Sequence, residues 1–291
     1  MQAQVDQLDD ALRSRLLTAS DPRSNWMAGQ LDRGDIESQV RHFAAARMAE
    51  PGNRLYLATL ALACLEPVQP RPPECDAVDR LADWATRDTD NGLPSLLLAQ
   101  RARQHGNALA MLGHLDNAAA QPRFDDYWGA GSLIIWETVR ALTAPDDATR
   151  LELAARLDAA RVQTWPAWAR ALCLPKSEAV DAGVREACAR VGGLMYKRGT
   201  TWSARGLGAR IAAYGAATPE EKALAEAAGV ALRTAMGSCN EAIGKAVAGS
   251  ESPDASVRAK TVAGYIAWLQ REAEIGEPEA CRELAARQKQ N

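Results

Sequence analysis

Apolar positions recur along this chain with the period of an α-helix, and almost nowhere with the alternation of a strand. Val5, Leu8, Leu12 and Leu16 share one helical face. Asp21-Pro22 predicts the start of a second helix, with proline where the missing N–H has no partner to lose. Gly34-Asp35 is the turn into a third, whose inner face is Ile36, Val40, Phe43 and Ala46; Pro51-Gly52-Asn53 ends it. Phe124-Asp125-Asp126-Tyr127-Trp128 opens an apolar stretch with Leu133, Ile134, Ile135 and Trp136, read as a central buried helix. Further helices are predicted near 148–161, 166–172, 178–195 and 200–213. Thr218-Pro219-Glu220-Glu221 is a capping box that starts one from about 219 to 235. Ser252-Pro253 opens another running to about Ile275, and Gly276-Glu277-Pro278 opens the last.

Composition agrees with this reading. The chain of 291 residues is 47% hydrophobic but only 5% aromatic, and alanine and leucine fill the difference. Such a composition suits closely packed helices and disfavours sheets, which draw on β-branched and aromatic residues. The net charge of −3, with signs well mixed, argues against a nucleic-acid binder. No apolar stretch approaches the length of a membrane span. Met1-Gln2-Ala3-Gln4 runs straight into the first helix without a secretory leader pattern, a start equally expected of a mature exported chain.

Three consecutive segments, 20–53, 54–91 and 92–125, share a helical-hairpin pattern. In the last, Leu98-Ala99 and Ala102 mark the first helix, Gly106-Asn107 the turn, and Met111, Leu115 and Ala118 the second helix. Trp26, Gly34-Asp35, Phe43, Ala46 and Pro51 take the corresponding places in 20–53. Leu60 and Ala61 do so in 54–91, followed, after an insertion, by Ala77 and Leu81. The pattern resembles the tetratricopeptide (TPR) family, in which small residues let paired helices approach and large ones fill the groove between neighbours. Gln39, Trp84 and Arg123 depart from it. The resemblance implies an all-α fold of antiparallel helix pairs stacked in a TPR-like superhelix, or α-solenoid. Residues 1–143 carry the repeats and 144–291 form an irregular helical region continuous with them, with 143–147 as the alternative boundary. It also implies that Gln100, Arg103 and Gln104 face a protein ligand, against the plainer reading of a solvated helix face.

Six cysteines, Cys64, Cys75, Cys173, Cys188, Cys239 and Cys281, form no C-x-x-C pair, which argues against a zinc or thioredoxin-like site. Cys64 and Cys75 bracket a loop holding Pro67, Pro70, Pro72 and Pro73, where a disulfide would staple a helical hairpin. Cys173 and Cys188 flank the loop Leu174-Pro175-Lys176-Ser177 and part of the next helix; Cys239 and Cys281 then pair by elimination. Oxidised, the cysteines predict a periplasmic or secreted protein. As six buried free thiols they would suit a cytoplasmic one.

Catalytic signals are weak. His42, His105 and His114 have no partners at metal or triad spacing. The pairs Asp9-Asp10, Asp125-Asp126 and Asp146-Asp147 read as helix N-termini and solvated turns, where carboxylates favour the helix dipole. Arg205-Gly206-Leu207-Gly208-Ala209-Arg210 lacks the strand and glycine spacing of a phosphate loop and reads as a tight helix–helix contact. Tyr196-Lys197-Arg198-Gly199-Thr200-Thr201-Trp202 joins charge to aromatics, so Lys197, Arg198 and Trp202 are candidate contacts for an acidic partner, or else a capped turn. Trp165 and Trp168 flank Pro166, which predicts that one of them is exposed.

The chain is therefore expected to be a non-enzymatic protein-binding protein, with no cofactor and no metal. The unit Asp90–Asn107 and the two local cysteine pairs make it similar to exported, Ala-rich, TPR-like proteins of Gram-negative bacteria. That likeness implies an envelope setting, with an immunity protein neutralising a secreted toxin or an envelope assembly adaptor as concrete roles. A helical hydrolase of envelope polymers is the rival of another class; it would need two carboxylates converging in a cleft.

Overall fold

The computed structural model describes residues 2–16, 18–32, 34–65, 71–76, 79–142, 146–161, 163–175, 181–252 and 254–288. Among them the protein is all-helical, with sixteen α-helices, one 3-10 turn and two isolated bridges in place of strands. The helices are α1 (Gln2–Leu16), α2 (Pro22–Leu31), α3 (Ile36–Ala49), α4 (Arg54–Ala63), α5 (Pro73–Asp76), α6 (Arg80–Arg87), α7 (Gly92–Gln104) and α8 (Ala108–Ala119). They continue as α9 (Trp128–Arg140), α10 (Asp147–Ala159), α11 (Trp165–Cys173), α12 (Ala182–Arg198), α13 (Trp202–Gly215), α14 (Pro219–Val247), α15 (Ala255–Ile275) and α16 (Glu277–Gln288). Pro67, Pro70, Ala77, residues 143–145, Lys176, Ser177 and Pro253, all invoked above, lie outside the described residues.

Local chemistry accounts for most helix starts. Asp21 accepts from the Ser24 amide and Pro22 follows it; Asp35, Asn53, Asn91, Asn107, Asp146 and Thr201 cap α3, α4, α7, α8, α10 and α13 in the same manner. At α14 the capping box closes in both directions. Glu221 N–H donates to Thr218 Oγ1 at 3.2 Å, and Thr218 N–H donates to the Glu221 carboxylate at 3.3 Å. α14 outruns its expected end near 235 because beyond that point only the single glycines Gly237 and Gly244 interrupt its sequence, and neither is crowded.

The chain forms two compact units, each built from non-consecutive segments. The first comprises 1–80, 127–162 and 239–291. Here α2 packs on α3 and α3 on α4, while α15 packs against α9, α10 and α16. Val5, Leu8, Leu12 and Leu16 of α1 are buried as their spacing predicts, and Arg156 joins α10 to Asp6 and Asp9 of α1 at 2.9 and 3.4 Å. Trp26, Phe43 and Trp136 lie in the core. A buried guanidinium completes it: Arg161 lies over the Trp128 ring, 3.9 Å from its centroid, and donates to the Trp128 carbonyl, Ser132 and Asp158 at 2.9, 3.1 and 2.8 Å.

The second unit comprises 81–126 and 163–238. α7 packs on α8, α8 on α12, α11 on α7 and α13, and α12 most extensively on α13. Glycine makes that last contact close. A Cβ at Gly192 would stand 2.6 Å from the Ala212 nitrogen, and one at Gly208 would stand 2.7 Å from the Gly192 carbonyl oxygen. Of the two glycines in the 205–210 segment, Gly208 thus serves helix packing, as expected, whereas a Cβ at Gly206 would meet nothing within 4 Å.

The hairpins foreseen in 20–53 and 92–125 are present as α2–α3 and α7–α8, with Trp26, Phe43, Ala46, Ala99, Leu115 and Ala118 buried. The second helix of 54–91 is divided into α5 and α6. The cysteine pairs stand at disulfide distance, with Cα–Cα 5.4 Å for Cys64–Cys75, 5.5 Å for Cys173–Cys188 and 5.4 Å for Cys239–Cys281. Each pair lies within one unit. No described helix is long and apolar enough to cross a membrane.

Candidate interaction groove

The second unit carries an open groove of ≈ 560 Å³. Pro166 and Arg170 of α11 reach it from one side. Trp202, Gly206, Leu207, Ala209, Arg210 and Ala213 of α13 form one wall. Ala225, Gly229, Leu232 and Met236, at helical spacing on α14, form the other together with Val230 and Arg233. The walls are lined by small residues, and a Cβ at Gly229 would stand only 3.8 Å from the Ala209 Cβ.

The loop between α8 and α9 sets where α11 and α13 begin. Asp126 accepts from Trp165 Nε1 at 3.1 Å, from Gln163 Nε2 at 2.9 Å and from Thr201 Oγ1 at 3.3 Å. Trp165 begins α11 and Thr201 caps α13, so one carboxylate fixes the starts of both helices. Phe124 packs edge-on against Trp165, with ring centroids 5.3 Å apart, and its carbonyl accepts from the Thr200 amide at 3.1 Å. Asp125 accepts from Thr200 Oγ1 at 2.9 Å and from Arg123 at 2.8 Å. Arg123 also engages Asp88 and, at 3.1 Å, Asp90; Asp88 is fully buried and accepts from Trp84 and Asn91, both at 2.9 Å. Asp125 and Asp126, expected in a solvated turn, are thus the partly buried centre of a hydrogen-bonded loop. The sequence signal for this was Arg123, which departs from the repeat pattern and lies close to both.

The candidate contact residues divide between these features. Trp202 lines the groove and is half-buried. Lys197 and Arg198 are exposed at the end of α12, just before α13. Gln100 is buried, and its Oε1 has no hydrogen-bond partner among the described residues. Arg103 donates to the Ala171 carbonyl of α11, and Gln104 is exposed. The structure therefore does not gather Gln100, Arg103 and Gln104 on one solvated face. Trp165 is buried and Trp168 half-buried.

Two further properties characterise the surface around the groove. First, Met48, Leu109, Tyr214, Leu224, Val230, Met236 and Val257 are the large apolar side chains exposed among the described residues, and four of them fall within 214–236. Second, Arg170, Arg210 and Arg233 make no ion pair among the described residues, whereas Arg123 and Arg190 of the same unit each bind carboxylates. The one acidic lining residue, Glu226, faces Lys222 of its own helix at 3.9 Å. No group of His, Cys, Asp and Glu among the described residues is arranged to hold a metal ion. His42 approaches Asn25 at 3.4 Å, His105 ends α7, and burial together with Arg101 holds the His114 pKa below the usual histidine value.

Set against family models, curated proteins and solved structures, the chain matches none of them.

Proposed function

We propose that this is a non-enzymatic protein-binding protein of an oxidising compartment, and that its partner docks in the groove between α13 and the first half of α14. The observation that carries this reading is the exposure of Val230 and Met236, 54% and 39% accessible, in the lining of an open groove, with the exposed Tyr214 and Leu224 near them in the sequence. Clustered exposed apolar residues rimmed by charge are characteristic of protein-binding surfaces. The three cysteine pairs support a periplasmic or secreted setting, because such bonds persist where thiols are not kept reduced. The helix pairs α2–α3 and α7–α8 support membership of a TPR-like superhelical architecture.

Within that setting the role is neutralisation of a secreted antibacterial effector, as an immunity protein; an envelope assembly adaptor is the alternative. The two differ in lifetime. A neutralising protein holds its partner one-to-one through a large, slowly dissociating interface, whereas an adaptor exchanges it.

Affinity isolation from the producing cells, comparing the native chain with Val230→Glu/Met236→Glu, tests the reading. A stoichiometric protein retained by the native chain and lost from the folded variant is the expected result. A retained protein that ignores the two substitutions would displace binding from the groove.

A further inference from the structure

Building on the protein-binding reading, we infer that the groove receives an acidic amphipathic helix of the partner, apolar stripe inward and carboxylates toward Arg170, Arg210 and Arg233. The first argument is shape. Both walls are helices that meet at Ala209 and Gly229, where the small side chains keep the floor of the groove shallow, so a third helix can lie along its open side. An apolar stripe laid into such a groove is the recurring mode by which one helix recognises two others. Trp202, Val230 and Met236 supply the apolar surface it would cover.

Charge then selects the helix. The three arginines come from three different helices and converge on one groove, each without a carboxylate partner among the described residues. Lys222 already faces Glu226, so the groove keeps a surplus of positive charge. The surplus is local, since the whole chain carries −3. The sequence from 187 to 219 holds Arg190, Lys197, Arg198, Arg205 and Arg210 and no acidic residue. Guanidinium groups present planar forks that match carboxylates, and covering them with apolar or basic groups would leave charges buried and unpaired. A partner that buries the apolar walls must therefore bring acids to the rim.

Fluorescence anisotropy on the full, oxidised chain tests this with three labelled helical peptides of about five turns. They share one leucine–alanine stripe, with polar faces all Glu, all Gln or all Lys. The Glu peptide is expected to bind at least about ten-fold more tightly than the Lys peptide at low salt, with the Gln peptide between them. Arg170→Glu/Arg210→Glu/Arg233→Glu is expected to invert that order; all three residues are exposed, so the variant keeps its helices, verified by circular dichroism. Equal binding of Glu and Gln peptides, or an order unchanged in the variant, would overturn the acidic helix and leave a purely apolar docking groove. Failure of all three peptides would overturn the helix itself, while the affinity isolation above still judges protein binding. Tight binding to phosphatidylglycerol vesicles without preference for the Glu peptide would overturn it in favour of a lipid surface.

Discussion

The Asp126 carboxylate receives the indole N–H of Trp165 at 3.1 Å, tying the loop after α8 to the first turn of α11. The same carboxylate holds Thr201, the cap of α13, so the groove depends on an acid that lines none of it. Replacing Asp126 with Ala strands the Trp165 and Gln163 donors in partly buried surroundings. Bonds to charged groups contribute about 1.5–3 kcal/mol each, and shared loss places the expected destabilisation near 2 kcal/mol by urea unfolding. Asp126→Asn keeps one acceptor oxygen and should cost less.

The contact of α12 with α13 leaves no room for a methyl at Gly192. Gly192→Ala should destabilise by about 1–3 kcal/mol, since the atoms it would strike are backbone. Gly193, one residue on, has nothing within 4 Å, and Gly193→Ala should be neutral or stabilising by up to about 1 kcal/mol through helix propensity. Paired thermal melts separate the two.

Arg161 is stacked on Trp128 and bonded to Asp158, with only 7% of its side chain exposed. Arg161→Met removes the charge but retains length, leaving Asp158 with the Ser132 hydroxyl and without its cation. Because Asp158 is itself partly exposed, the loss should fall at the lower end of the buried-pair range, about 3 kcal/mol. Arg161→Lys should not restore it, for an ammonium cannot lie flat on the ring while forming the same three bonds.

Acid should weaken the fold in two stages. Burial, with Arg101 adding repulsion, lowers the His114 pKa below its unfolded value. The unfolded chain thus binds the proton first, and this contribution, complete above the ordinary histidine value of 6.5, fades as pH falls through the folded pKa. The Asp146 carboxylate is held below its ordinary value by the Thr149 amide, so its contribution is present above 3.8 and is lost as pH falls further. His114→Gln should remove the first stage alone in a stability–pH profile.

Oxidation should be measurable directly. Alkylation of the denatured, unreduced chain is expected to find no free thiol. Cys173→Ala/Cys188→Ala opens a link spanning 15 residues and should cost about 3 kcal/mol on the loop-entropy account.

What could be read from the sequence was whatever depends on neighbours in the chain. Asp21-Pro22 and Thr218–Glu221 cap helices through contacts a few residues away, and the periodic face of α1 is buried whatever covers it. The Cys64–Cys75 and Cys173–Cys188 pairs were visible because they are local. The groove was not, because it arises from α11, α13 and α14 meeting, and nothing in Ala225, Gly229 or Met236 alone distinguishes a groove wall from a packed face. Trp202 was singled out for its basic aromatic setting and does line the groove. Gln100 was placed on an exposed face, yet α7 is buried continuously from Gly92 to Gln100. Asp126 gains its partners 37 to 75 residues away, beyond the reach of any local pattern.

Site-specific photocrosslinking in the producing cells tests the groove as a protein-binding site most directly. A benzophenone side chain would be placed at Val230, and in a control at the exposed Glu152 of α10. A discrete protein adduct at Val230, absent at Glu152 and weakened by Arg170→Glu/Arg210→Glu/Arg233→Glu, is the predicted result. Equal labelling at both positions, or no adduct at Val230, would contradict it.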